Sequence, residues 1–155
     1  MTTAAQNLVA ALRDLGVERV LGIPGAQDLE LFDELSVAGI RVIVPACERG
    51  AAFAACGWGS ATGRPAVLVL VPGAGLTHAL SGIAEAFVDQ VPLVAIVCGI
   101  RDDLAYKFQL HEADRGQRDA DHGQLEIVRP VAKAVYRASD ALDPAAGLRK
   151  AFAAA

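Results

Sequence analysis

VIVPACERGAAFAACGWGSATGR, residues 42–64, is the stretch on which the reading of this chain turns. It opens as a short apolar strand, Arg41 to Val44, and turns at Pro45. Glu48 then stands where a helix begins, and that helix is made of small residues: Gly50, Ala51, Ala52, Ala54, Ala55, Gly57, Gly59, Ser60 and Ala61. Small side chains let another backbone or a flat ligand come close. Glycine weakens a helix by about 1 kcal/mol against alanine, so Gly50, Gly57 and Gly59 imply a packing reason. Glu48 has two readings on local grounds. A carboxylate in a first helical turn is favoured by the positive end of the helix dipole, and the same carboxylate can be a working group.

Working outward, strands and helices alternate. Thr3 caps a helix from Ala4 to Leu15 with a stripe of Leu8, Val9, Leu12 and Leu15, stopped by Gly16. Glu18–Ile23 reads as a strand, Pro24-Gly25 as a turn, and Asp28–Val37 as a helix with Leu29, Phe32 and Leu35 inward, ending at Gly39. The Glu48 helix runs to Thr62 and is closed by Gly63. Pro65–Val71 is almost wholly apolar, as a strand buried on both faces of a parallel sheet should be. Gly73-Ala74-Gly75 leads to a helix from Thr77 to Asp89, and Pro92–Cys98 reads as another buried strand. Val131–Arg137 reads as a strand, and Asp143 with Pro144 opens a last helix. The pattern predicts an α/β fold: a parallel sheet with helices on both faces. The polar segment from Gly99 to His122 breaks the pattern and carries two of the three histidines. A loop of that length in a compact domain is commonly functional or disordered.

The 155 residues, 54% hydrophobic and 21% charged, suit one globular domain. A net charge of −4 without a basic cluster speaks against nucleic acid as a partner. Cys47, Cys56 and Cys98 form no CxxC pair and read as small buried residues of a reduced compartment. The longest apolar runs fall short of the ~20 residues a membrane span needs, and no signal peptide is evident. A cytoplasmic protein with no membrane contact is the expectation.

Two glycine-rich turns, Gly22-Ile23-Pro24-Gly25 and Val71-Pro72-Gly73-Ala74-Gly75, follow strands, where open α/β sheets place ligands. Strand-to-helix turns need glycine in any case. Gly73-x-Gly75 begins like a dinucleotide fingerprint, but His78 stands in place of the third glycine. His78, His111 and His122 lack metal-ligand spacing, so no metal is assigned to this chain. Trp58, among small residues, reads as core or interface.

In order along the chain, GIPGAQDLELFDEL, then CERGAAFAACGWGSATGRPAVLVLVPGAGLTHALSGIAEAFVDQVPLVAI, then FQLHEAD, then IVRPVAKAVYR resemble the N-terminal pyrimidine-binding (PYR) domain of thiamine-diphosphate-dependent enzymes. The resemblance is to the acetolactate synthase, pyruvate oxidase and 2-oxo-acid decarboxylase group, and it runs from about Val9 to Phe152. It implies that Glu48 bonds to a nitrogen of the cofactor's aminopyrimidine ring and favours its imino tautomer, which removes the proton from the thiazolium C2. Such a carboxyl works in a dry pocket, where apolar surroundings raise its pKa.

The resemblance further implies that Pro24, Gly25, Gly73, Ala74 and Gly75 line the cofactor pocket and that Phe108 and Gln109 face the substrate. The expected activity is lyase or transferase chemistry on a small 2-oxo acid, decarboxylation or carboligation.

The departures are several. Ala46-Cys47 replaces a familiar Arg-His, Arg49 stands where Gln is common, Gly73-Ala74-Gly75 replaces Gly-Pro-Gly, and His78 stands where Asn is frequent. No Gly-Asp-Gly motif occurs, so the diphosphate and its Mg2+ are expected on a diphosphate-binding domain or subunit absent from this chain. The resemblance also implies one more strand after the last helix, the helix in which this sequence stops. The resemblance therefore implies one subunit of a split enzyme or a part of a longer chain, in a homo- or hetero-oligomer, dimer or tetramer. The competing expectations are a nucleotide-binding domain of a dehydrogenase and a non-catalytic regulatory PYR-like subunit.

Overall fold

The computed structural model describes residues 2–99, 124–138 and 144–155. Phe108, Gln109, His111, His122 and Asp143 lie outside the described residues.

The element order is α1 (Ala4–Asp14), β1 (Arg19–Gly22), α2 (Leu29–Val37), β2 (Arg41–Ile43), α3 (Glu48–Thr62), β3 (Ala66–Leu70), α4 (Ala74–Val88), β4 (Leu93–Val97), α5 (Gln124–Val128), a 3-10 turn (Arg129–Val131) and α6 (Pro144–Ala154). Local signals set most boundaries. Thr3 and Gln6 form a reciprocal capping box at the start of α1, with bonds of 3.2 and 3.1 Å. Gly63 closes α3 in the left-handed conformation at φ 65°. The last helix begins at Pro144 as expected.

All pairings are parallel, in the order β2-β1-β3-β4. Register is fixed by Val20 beside Val42, Leu21 beside Leu68, and Leu68 beside Ala95. Alternation along β3 then builds two cores. Val67 and Val69 join Val20 and Val94 under α1, α2 and α6, with Leu12, Leu35 and Leu148. Ala66, Leu68 and Leu70 join Leu21 on the other face, under α3 and α4, with Ala52, Ala55, Leu76 and Ala79. All five residues of β3 are buried, as expected of a central strand covered on both sides.

The small residues of α3 act at particular points. A Cβ on Gly59 would lie 2.6 Å from the Pro92 carbonyl oxygen, so α3 must carry glycine there to approach that loop. Gly57 faces open space among the described residues, so its glycine has no packing reason. Helix α4 comes close to α3 at Gly82, where a Cβ would sit 2.6 Å from the Ala52 methyl.

Five expectations are corrected. Leu29 is 52% exposed; the buried stripe of α2 is Leu31, Phe32 and Leu35. At 100° per residue, Leu29 lies about 110° from the centre of that stripe. Val131–Arg137 is not a strand: Arg129-Pro130 starts a 3-10 turn, and Val131 packs on the second core instead of extending the sheet. Among the described residues β4 is an edge strand with only Val94 fully buried. Helix α4 starts at Ala74 rather than Thr77, because Gly73 at φ 65° completes the turn alone. Of the cysteines, Cys56 is buried, Cys98 half-buried and Cys47 exposed, so the all-buried expectation fails at Cys47.

Candidate functional site

β1 leads to α2 on one face of the sheet, and its neighbour β3 leads to α4 on the other. Their carboxyl ends therefore diverge and leave a crevice at the point where the strand order reverses. Both glycine turns lie there. Pairing of Gly22 with Val69 sets them side by side, and Val71 holds the space between. A Cβ on Gly25 would run into Val71 Cγ1, and one on Gly75 would come within 2.6 Å of Val71 Cγ2. Glycine at both positions lets the two turns close on one valine. Pro24 and Ala74 are exposed on the outer side, while Gly73 and Gly75 are buried.

Each turn is pinned by a side chain. The Gly25 N–H donates to Asp28 Oδ1 at 2.6 Å, and the Gly73 N–H donates to Gln124 Oε1 at 3.1 Å. Asp28 is 1% exposed, and its Oδ2 has no hydrogen-bond partner. Burial pushes its carboxyl above the usual aspartate range, against the lowering effect of the Gly25 N–H and its own backbone N–H. Burial also pushes the Cys98 thiol up to about 11, with the nearby Asp28 charge adding to the effect.

Glu48 reaches the crevice from the third side. Cys47 takes the helix cap, its Sγ accepting from the Gly50 N–H at 3.4 Å, so Glu48 is the first residue of α3. The helix dipole favours a negative charge there. The side chain is 18% exposed, and its Cγ lies 3.9 Å from where a Gly75 Cβ would be. Its Oε2 meets Nδ1 of His78 at 3.3 Å. A carboxylate only accepts, so the imidazole donates in this contact.

The structure thus brings together Glu48, Gly75 and, through Val71, Gly25. Phe108 and Gln109 lie outside the described residues. Sequence reasoning missed Val71, Asp28, His78 and Gln124. For His78 a signal was present, since it follows Gly75 by three residues and so lies on the same side of α4. Nothing in the sequence marks Gln124, which is 51 residues from the turn it pins.

A shallow groove at the opposite end of the sheet is lined by Val17, Arg19, Trp58, Arg64 and Phe152. Trp58 is half-buried there, packed on the second core with the Arg19 guanidinium 6.0 Å from its ring centroid. This groove lies at the amino ends of the strands, away from Glu48. Among the described residues no group of three or more His, Cys, Asp or Glu is placed to hold a metal ion, and no helix is long and apolar enough to cross a membrane.

A family model described as "Thiamine pyrophosphate enzyme, N-terminal TPP binding domain" matches residues 2–121. The chain is 33% identical over 151 residues to the acetolactate synthase large subunit of Haemophilus influenzae, covering 97% of this chain and 25% of that one. It is 33% identical over 153 residues to the acetolactate synthase isozyme 3 large subunit of Escherichia coli, covering 98% of this chain and 25% of that one. Over 94 residues it is 42% identical to the probable 2-ketoarginine decarboxylase AruI of Pseudomonas aeruginosa, covering 61% of this chain and 17% of that one. The chain thus spans a quarter or less of the length of these curated relatives.

Proposed function

The chain belongs to the thiamine pyrophosphate enzyme family, as its N-terminal TPP-binding domain, and we propose that it is the pyrimidine-binding part of an enzyme that decarboxylates or carboligates a 2-oxo acid. The observation that carries the reading is Glu48: a largely buried carboxylate at the start of α3, beside the Gly73–Gly75 turn. Its Oε1 has no protein partner among the described residues, since the contact to His78 uses Oε2. An acid with one oxygen left over, next to backbone without side chains, fits a flat heterocycle that presents a ring nitrogen.

When bound, thiamine diphosphate supplies a nucleophilic carbon and an electron sink for the substrate carbonyl. The chain's own part is narrower. Glu48 Oε1 would make the bond to the ring nitrogen. Gly25 and Gly75 keep the turns thin, so that backbone rather than side chain borders the ring. Pro24, Gly73 and Ala74 complete that border. Partial burial of Glu48 limits the water that would compete for that bond.

Phe108 and Gln109 face the substrate in this reading. Diphosphate and Mg2+ are held by a second domain or subunit, within an oligomer in the cytoplasm. The names of the acetolactate synthase and 2-ketoarginine decarboxylase relatives support a 2-oxo acid as substrate.

The test is Glu48→Gln in the complete protein with its diphosphate-binding domain or subunit. Exchange of the cofactor's C2 proton with deuterium, read by NMR after acid quench, should slow by about 100-fold or more, the usual contribution of a positioned acid–base group. Exchange at the parent rate would end this reading.

A further inference from the structure

Glu48 is a flexible side chain at a helix terminus, with two equivalent oxygens and several rotamers of similar energy. To meet a ring nitrogen it must present one particular oxygen. Among the described residues a single side chain bonds to it: His78, one turn into α4, with Nδ1 3.3 Å from Oε2.

We propose that His78 is a positioning residue for Glu48. It occupies Oε2, fixes the carboxylate plane, and leaves Oε1 toward the ring nitrogen. The inference rests on the reading of Glu48 above.

Three observations support it. The contact joins two helices that pack tightly, since Gly82 brings α4 against Ala52 of α3, so the Glu48–His78 geometry is set by rigid elements. His78 is 66% exposed, so its position is not explained by a need to bury it. The third is stereochemical. The donor is Nδ1, separated from Cβ by Cγ alone, which is also where an asparagine carries its Nδ2. Asparagine can make the same bond, whereas glutamine sets its amide one carbon further out. The contact thus needs a donor at that reach and not a charge.

The ionisable groups at the start of α3 beside this contact are Cys47, Glu48 and Arg49, and those on α5 and the following 3-10 turn, which pack on α4, are Glu126 and Arg129. A change of pH would act on several of them together, so the test relies on ligand chemistry instead.

The experiment compares His78→Ala, His78→Asn and His78→Gln in the complete protein with its diphosphate-binding domain or subunit. Calorimetry gives the Kd of two probes: thiamine diphosphate, and its analogue with CH in place of the ring nitrogen facing Glu48. A hydrogen bond to a partly exposed carboxylate predicts that His78→Ala weakens thiamine diphosphate by roughly 5- to 10-fold. The analogue should bind the Ala variant as it binds the parent, because it cannot use Glu48. His78→Asn should restore the cofactor Kd to within about 2-fold, and His78→Gln should not.

Equal weakening of both probes would mean a structural role and would overturn the proposal, as would no change for either. Glu48→Gln is run beside them. Should it leave the preference for cofactor over analogue intact, the reading of Glu48 itself fails. Should it abolish that preference while His78→Ala changes nothing, only the present inference fails.

Discussion

Gly82→Ala tests how closely the two helices that carry the site are packed. On helix propensity alone the change should stabilise α4 by about 1 kcal/mol. The structure predicts the opposite sign. A Cβ at this position would lie 2.6 Å from the Ala52 Cβ and 2.8 Å from both the Ala52 carbonyl carbon and the Phe53 nitrogen. Carbon atoms pack at about 3.5–4.0 Å, so the helices must separate by roughly 1 Å. Overpacking of this kind costs about 1–3 kcal/mol. Set against the propensity gain, the net effect is a loss of up to about 2 kcal/mol.

Urea denaturation of the protein is the assay. With a slope of about 2 kcal/mol per molar, the midpoint should fall by up to about 1 M at unchanged slope. Ala52→Gly in the same chain should restore only part of this, because two of the three close atoms belong to the backbone. A second readout follows from the site. Separating α3 from α4 draws Glu48 away from His78 and Gly75, and misplacement of about 1 Å is enough to impair a reacting geometry. C2-proton exchange should therefore slow even where the variant remains folded. A Gly82→Ala protein more stable than its parent by about 1 kcal/mol would refute the close packing, and with it the rigid frame assigned to Glu48.

Asp28 gives a pair of variants that should move in opposite directions. Asp28→Ala leaves the buried Gly25 N–H without a partner and should cost about 1–3 kcal/mol. Asp28→Asn keeps an acceptor for that N–H and removes a buried charge. Because burial raises the native carboxyl, the folded state binds its proton more tightly than the unfolded chain. Stability from this group is thus lost as pH rises from the unfolded value through the raised native one. The advantage of Asp28→Asn over the parent should grow across that window and level off above it, in denaturation midpoints taken from acid to neutral pH. Thiol labelling checks Cys98, held at about 11 by burial and then by Asp28. At pH 8 only about 0.1% of such a thiol is thiolate, so exposed Cys47 should react with iodoacetamide well before Cys98, and Asp28→Asn should speed Cys98.

Local sequence determined the elements, because each signal it used acts within a few residues. Thr3 with Gln6, Gly16, Gly39 and Gly63 mark helix ends through backbone geometry that any neighbour would leave unchanged. The doubly apolar run of Ala66–Leu70 demands cover on both faces whatever provides it. The place of Glu48 in the first turn of α3 was also legible, because a strand-to-helix junction with an Ala/Gly-rich helix behind it is a local pattern.

Only the tertiary structure decided which residues surround Glu48. His78 is 30 residues away and Gln124 lies 51 residues from Gly73, and such pairs meet through helix packing that has no local period. Val71 continues an apolar strand in the sequence, yet in space it separates the two glycine turns, because β1 and β3 pair across an intervening strand in chain order. Leu29 and Val131 were misread because apolarity alone was taken to fix their place. Apolarity says that a side chain prefers cover, and the arrangement of the other elements decides whether the core, another helix or solvent lies on the side toward which the backbone points it.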